Sequence, residues 1–381
     1  MGRTPIASSP APEAAIQIPT RRSEKPRRSR PPRPPPPPPE PSKWVAWLSP
    51  TIIFINIALF LVAMYLNNCP SHSHTCIGAS FLGRFSFQGI HENPLLGPSA
   101  TTLLELGAMD VKKVVEGGEA WRLVTCMWLH AGVFHVLANM LSFVFVGFRM
   151  EEEFGFARLG GVYVISGIGG SLASSLYVRT TISVGASGAL FGLLGAMLSE
   201  LIINWSIYEN KVQSLMSLLL IILVNLAVGI LPHVDNFAHL GGFLTGFMLG
   251  FVLMIRPQYG YINKKKMPDY IASSAKSKSK PKYKPSQCIM LIVALVILIT
   301  GFTTGLTMLL KGVNGNDHCS WCHYLSCVPS PLWTCQARCT SSQYENRVQL
   351  TCMQNRKSQI YTLNNGTTAV PIQQLCAELC G

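Results

Sequence analysis

Charge is what this sequence has least of. Only 13% of its 381 residues are Asp, Glu, Lys or Arg, where a water-soluble domain of this size carries about 25%. The deficit excludes an ordinary soluble enzyme and fits segments that live in lipid. Acidic residues are scarcer still, 18 against 31 Lys and Arg. An apolar h-region is also missing near the start, so no signal peptide is expected. The net charge of +13 would suit a nucleic-acid binder if it were spread along the chain, but it is not. Residues 1–43 hold nine Lys/Arg against three acids, and residues 256–286 hold nine against one, with Lys264-Lys265-Lys266 and the alternating lysines from Lys276 to Lys284. Basic clusters beside apolar spans mark the cytoplasmic side of a membrane and attract anionic lipid. The lipid bilayer is therefore the expected partner, and no nucleic acid.

Long apolar runs stand where the charges are missing. A helix needs about 20 mainly apolar residues to cross the hydrocarbon core, and seven runs qualify, roughly 49–66, 132–148, 159–177, 184–203, 213–231, 237–255 and 287–311. The expected fold class is all-α, a polytopic membrane helix bundle. Residues 1–43, with the proline run Pro34 to Pro39, cannot bury a core and are expected to be a disordered, partly polyproline II cytosolic tail. Residues 44–256 form the six-span body, 257–286 a basic cytosolic loop, 287–311 the seventh span and 312–381 a tail. With the basic head in the cytosol, an even number of crossings returns the second basic block to the cytosol. The seventh span then carries the tail to the lumen or exterior.

Cysteine usage agrees with that topology. Eight of the twelve cysteines (Cys319, Cys322, Cys327, Cys335, Cys339, Cys352, Cys376, Cys380) fall in the tail, as expected of a small disulfide-stapled segment in an oxidising compartment. Asn365-Gly366-Thr367 is a glycosylation sequon on the same side. Asn204-Trp205-Ser206, the other sequon, falls on the cytosolic side and should stay unmodified. Cys69 and Cys76, after the first span, lie on the lumenal side and could pair. The string Cys319-Ser-Trp-Cys322-His323 also matches a haem-attachment pattern, and zinc is conceivable at this Cys/His density. Lumenal placement and six further cysteines favour disulfides, so no cofactor and no metal is expected.

Ionisable and polar groups inside spans are costly and point to function. The second span opens with His135 and Asn139, four apart and so on one helix face, with His130 just before it. The fourth opens with Gly185-Ala186-Ser187-Gly188, and the sixth with His239, followed by Gly242 and Gly246. All three spans run from lumen to cytosol on the derived topology, so Ser187, His239, His135 and Asn139 share one shallow lumenal layer. A serine hydroxyl becomes a useful nucleophile when a neighbouring base takes its proton. Close helix packing is needed for that, and Gly185, Gly188 and Gly192 on one helix with Gly242-x3-Gly246 on the other permit it. The Asn139 amide, a His135 nitrogen and the Ser187 N–H could supply the donors an oxyanion requires. No Asp or Glu within the spans is placed to orient His239, which makes the pair a dyad.

Taken together, Trp121-Arg122, His135-x3-Asn139, Gly185-Ala-Ser187-Gly188 and Ala238-His239 with Gly242-x3-Gly246 resemble the signatures of the rhomboid intramembrane serine proteases, in order and spacing, over roughly residues 44–256. The chain is most similar to the plant secretory-pathway members. The resemblance implies a six-helix rhomboid core, here followed by a seventh helix. It implies that Ser187 is the nucleophile, His239 the general base, and that His135 and Asn139 line the oxyanion hole. Phe191 matches the aromatic position on which the base stacks. Trp121-Arg122 matches a structural motif of the first lumenal loop, and Glu151-x3-Gly155 resembles the acid and glycine after the second span. The expected function is hydrolysis of a peptide bond in single-span membrane protein substrates near the lumenal side, in the Golgi or plasma membrane. The alternative is a catalytically silent rhomboid-like protein that binds membrane clients.

Overall fold

The computed structural model describes residues 44–257 apart from 91, 180, 206, 207, 209 and 229–233, residues 282–322 apart from 320, and beyond these 325, 339–344, 347–352, 357–362, 375, 376 and 379. The proline-rich head, the lysine block at 264–280, the sequon at Asn365 and Cys327, Cys335 and Cys380 lie outside the described residues.

Seven long helices carry the seven apolar runs: α1 (Leu48–Asn67), α2 (Val133–Phe154), α3 (Phe156–Tyr177), α4 (Ser187–Ile203), α5 (Lys211–Val228), α6 (Asn236–Leu253) and α7 (Pro285–Leu310). All except α4 and α5 are long and apolar enough to cross a bilayer on their own. The tail adds something the sequence patterns did not announce, an antiparallel sheet of β1 (Cys339–Tyr344), β2 (Arg347–Cys352) and β3 (Ser358–Thr362). Cys69 bonds to Cys76 and Cys319 to Cys322.

Helices α3, α4 and α6 form the centre of the bundle, with α1 against α2, α5 against α4, and α7 against α6 and α3. The central helices are rich in glycine because their backbones touch. A Cβ on Gly242 would stand 1.9 Å from the Gly188 carbonyl oxygen, and one on Gly246 would stand 1.9 Å from that of Gly192. On the third side, Gly170 faces the Ala238 carbonyl and Gly169 the Thr245 hydroxyl. In lipid, where apolar side chains gain little by meeting one another, such close approach is what holds helices together. The outer helices show the complementary pattern. Exposed apolar side chains on α1 (Phe54, Leu61), α5 (Leu220, Leu223) and α7 (Ile292, Val296, Ile299) suit a hydrocarbon surround.

Polar locks close the end of the bundle remote from Ser187. Glu151 of α2 accepts the Trp47, Leu48 and Ser49 N–H groups and the Ser49 hydroxyl, at 2.6 to 2.9 Å, so a side chain from α2 caps the orphan donors that begin α1. Gly155 ends α2 at φ +83°, a conformation favourable to glycine. Arg256, just past α6, pairs with Glu200 of α4 (3.1 Å) and Glu153 of α2 (2.7 Å). Asn204 joins that cluster through Glu200, the Met254 carbonyl and the Arg256 N–H, which buries and engages the amide of the second sequon.

Glycine contact at this density makes a sharp prediction. Gly246→Ala should force α4 and α6 apart and cost about 1–3 kcal/mol, lowering the unfolding midpoint in detergent by several degrees. Gly301→Ala on α7, where no described atom lies within 4 Å of the new methyl, should leave the midpoint unchanged or slightly raised. Equal effects from the two would show that the α4–α6 contact does not hold the bundle.

Candidate active site

Ser187 is the first residue of α4, and its setting follows from the glycine two places before it. Gly185 has φ +128°, a backbone conformation that side chains resist. Its N–H donates to the Cys126 carbonyl at 2.9 Å. A Cβ at Gly185 would fall 2.6 Å from His135 Cε1, 2.7 Å from His135 Nε2 and 3.7 Å from Asn139 Nδ2. Only a residue without a side chain lets the loop before the serine lie directly against both side chains of α2.

The second half of the site comes from α6. The His239 imidazole stacks on Phe191, with centroids 4.3 Å apart and planes inclined by 15°. Phe191 is one helical turn beyond Ser187, and Gly188 packs against the Ala238 carbonyl, so Ser187 and His239 project from the two helix segments whose backbones meet. His239 is buried, and its Nδ1 has no hydrogen-bond partner among the described residues. The Asn139 Nδ2 is likewise buried and unbonded among them. His135 differs, because its Nδ1 accepts the Ala131 N–H at 3.4 Å. In a neutral ring that acceptor leaves the proton on Nε2, the nitrogen that abuts Gly185. Three donors therefore face one region beside Ser187: Asn139 Nδ2, His135 Nε2–H, and the orphan N–H groups of the first turn of α4.

Nearby groups are unsuited to chemistry of their own. His130 is fully buried with its ring 5.3 Å from that of His135. Burial, then the neighbouring His135, push its pKa down to about 3, so it stays neutral. Burial also raises the Cys126 thiol to about 11, which removes it as a rival nucleophile.

Ser187, His239, His135, Asn139, Gly185, Gly188, Phe191 and Gly242 are thus brought together, with Gly246 one turn deeper. Trp121 and Arg122 belong to a different construction. The Arg122 guanidinium donates to the Leu104 and Ala108 carbonyls at 2.7 and 2.8 Å and to Glu119, while lying 4.7 Å over the Trp121 ring. It fastens the loop between α1 and α2.

Asp235 carries weight that the sequence pattern left unassigned. It caps α6 by accepting the Ala238 N–H at 3.0 Å, and its other oxygen accepts the hydroxyls of Ser174 and Ser183. One carboxylate thus ties α3, the segment before α4 and the helix bearing His239. An acid immediately before an apolar run is the ordinary sign of a helix start, and that sign was present. With both oxygens engaged, Asp235 leaves His239 Nδ1 without an acidic partner among the described residues. Asp235→Ala should cost about 2 kcal/mol, from the lost cap and two stranded hydroxyls, lowering the unfolding midpoint by about 2–4 °C. Asp235→Asn, which keeps an acceptor, should lose less. A midpoint unchanged in the alanine variant would show that this carboxylate does not join the elements.

Comparison with known proteins agrees with the geometry. A family model described as "Rhomboid domain" matches residues 117–256. The chain is 60% identical to RHOMBOID-like protein 1 of Arabidopsis thaliana, over 88% of this chain and 86% of that one. It is 54% identical to RHOMBOID-like protein 4 of the same plant, over 88% and 84%. Inactive RHOMBOID-like protein 8, also from Arabidopsis thaliana, is 40% identical over 78% and 85%. Helix bundle, residue constellation and near full-length identity converge on one conclusion: the chain belongs to the rhomboid family.

Proposed function

We propose that this chain is an active intramembrane serine endopeptidase working through a Ser187–His239 dyad. Family membership supports intramembrane proteolysis on membrane protein substrates in general. The observation that supports the specific assignment is that His239 stacks on Phe191, one turn beyond Ser187, while Gly185, two residues before it, packs against His135 and Asn139. In the first step His239 takes the proton of Ser187 Oγ as the oxygen attacks the scissile carbonyl carbon. The oxyanion is held by Asn139 Nδ2, His135 Nε2–H and the Ser187 N–H. His239 then returns its proton to the leaving amine, and an acyl-enzyme remains on Ser187. Water, deprotonated by His239, attacks that ester; the Ser187 Oγ–acyl bond breaks as His239 returns the proton to Ser187 Oγ, and the carboxylic acid product leaves.

A substrate helix must unwind locally to offer a carbonyl, because its peptide groups are already hydrogen-bonded. Single-span proteins with small or helix-breaking residues near the lumenal end of their span are the substrate class proposed. The setting is the secretory pathway, Golgi or plasma membrane, with the N-terminus cytosolic and the tail lumenal. The rival function, client binding without cutting, is motivated by the inactive relative. Against it stands the presence here of both nucleophile and base.

Purified protein in liposomes with a tagged single-span substrate decides between them. Ser187→Ala and His239→Ala should abolish a product that the wild type forms, and Asn139→Ala should lower kcat about 10²-fold with KM nearly unchanged. Equal product from wild type and Ser187→Ala would remove Ser187 from the mechanism. Orientation has its own test. Endoglycosidase should shift the full chain, Asn365→Gln should abolish the shift, and Asn204→Gln should leave it. A shift that survives Asn365→Gln would place the tail on the wrong side.

A further inference from the structure

Three consecutive residues begin the helix that bears His239, and each has a different anchor. Asp235 is held by α3 and the segment before α4, through Ser174 and Ser183. Phe237 stacks on Tyr177 at the end of α3, with centroids 4.2 Å apart and planes inclined by 4°. Asn236, buried, donates from Nδ2 to the carbonyl of Leu325 at 3.0 Å. Leu325 belongs neither to the six-helix body nor to α7; it lies in the segment that follows α7.

That segment is fastened to the body at several points. Arg179, just past α3, donates to the Gly312 carbonyl at 3.0 Å and to that of Val313. Asn316 donates to the Tyr177 carbonyl at 2.7 Å. Gly315 sits so close to the Tyr177 ring that a Cβ there would come within 2.5 Å of it. Next comes the turn closed by the Cys319–Cys322 disulfide. The Cys322 carbonyl accepts the Leu325 N–H at 3.0 Å, so the residue that bonds Asn236 is itself bonded to the disulfide turn. A continuous path of direct contacts therefore runs from the disulfide turn to the first turn of α6, three residues before His239.

Helix ends fray unless their first turn is tied down, and a catalytic side chain must hold its place to within about 0.5 Å. We propose that the disulfide-closed segment after α7 is part of the active-site frame, and that Asn236 is a positioning residue through which it fixes His239. The inference rests on the proposed role of His239 as base. It separates two functions the tail could serve, because a frame acts on turnover and a substrate-recruiting module acts on affinity.

The test uses full-length protein in liposomes with a tagged single-span substrate, comparing Asn236→Ala, Cys319→Ser/Cys322→Ser and the combination of all three changes. Loss of one positioning hydrogen bond, worth about 1.4 kcal/mol, corresponds to about ten-fold in rate. Each variant should lose about ten-fold in kcat with KM within about two-fold. The combined variant should lose no more than either alone, since both act through one contact. Losses that multiply to about 100-fold, a kcat unchanged in either variant, or a rise in KM at constant kcat would each overturn the proposal. If Asn236→Ala fails to fold, the disulfide variant, which leaves α6 untouched, tests the same contact from its other side. Amide hydrogen exchange across 239–243 reads the frame without any catalysis. It should quicken about ten-fold in both variants, also in a Ser187→Ala background, and unchanged exchange refutes the frame. Substrate cleavage that survives Ser187→Ala would instead refute the protease assignment, so the two failures are told apart.

Discussion

Between Gly188 and Gly242, and again between Gly192 and Gly246, the backbones of α4 and α6 meet with no side chain between them. Ser187 and His239 are carried by the turns that flank the first of these contacts. Hydrogen-bond reach between a serine and a histidine is about 3 Å, whereas helices separated by ordinary side chains lie about 8–10 Å apart. A side chain at Gly242 or Gly246 would meet the α4 backbone at 1.9 Å and force the two helices apart. Gly169 and Gly170 of α3 press on the other side of α6. The base helix is therefore confined from two directions.

Buried polar groups of this frame include both engaged and unengaged ones. At the end remote from Ser187 the Glu151 carboxylate takes four donors, and Glu200, Arg256, Glu153 and Asn204 complete one another. Near Ser187 the Asn139 Nδ2 and the His239 Nδ1 are buried without partners among the described residues. A buried polar group left unpaired costs about 1–3 kcal/mol, so folding alone would not favour leaving these free. On the proposed mechanism the Asn139 amide gains its partner when an oxyanion forms.

Much of this was legible in the sequence, for reasons that can be stated residue by residue. Apolar runs gave all seven helices because hydrocarbon demands continuous apolar length, a one-dimensional property. Ser187, His239, His135 and Asn139 stood out because polar groups are rare in such runs. What escaped was information carried by neighbours in space. Asp235 lies just outside a span, so the rarity argument passed over it, although its place before an apolar run signalled a cap. Glu200 does lie in a span, thirteen residues beyond Ser187, or roughly 20 Å along the helix, and its partner Arg256 follows a different helix. The sheet at 339–362 was hidden because its short strands, Cys339–Tyr344 and Ser358–Thr362 among them, are too polar to show a buried face. Asn236 gave no signal, since its partner is a main-chain carbonyl 89 residues away.

The length of α4 bears on where Ser187 stands. At 17 residues and about 1.5 Å per residue it spans roughly 25 Å, less than the hydrocarbon thickness of about 30 Å. Its neighbours α2 and α3 have 22 residues each. Between the end of α3 at Tyr177 and the start of α4 at Ser187 the described backbone is not helical. Non-helical backbone among membrane spans must find its hydrogen bonds in protein, and here Ser183 and Gly185 do. Ser183 and Met109 exchange backbone hydrogen bonds, and Gly185 donates to Cys126. Met109 and Cys126 both come from the long connection between α1 and α2, the same connection that Arg122 fastens. That connection therefore supplies, through Met109 and Cys126, the backbone partners of the segment that leads into Ser187. A full-length fourth helix would satisfy its own amides, bury Ser187 mid-helix and leave no orphan N–H groups for an oxyanion.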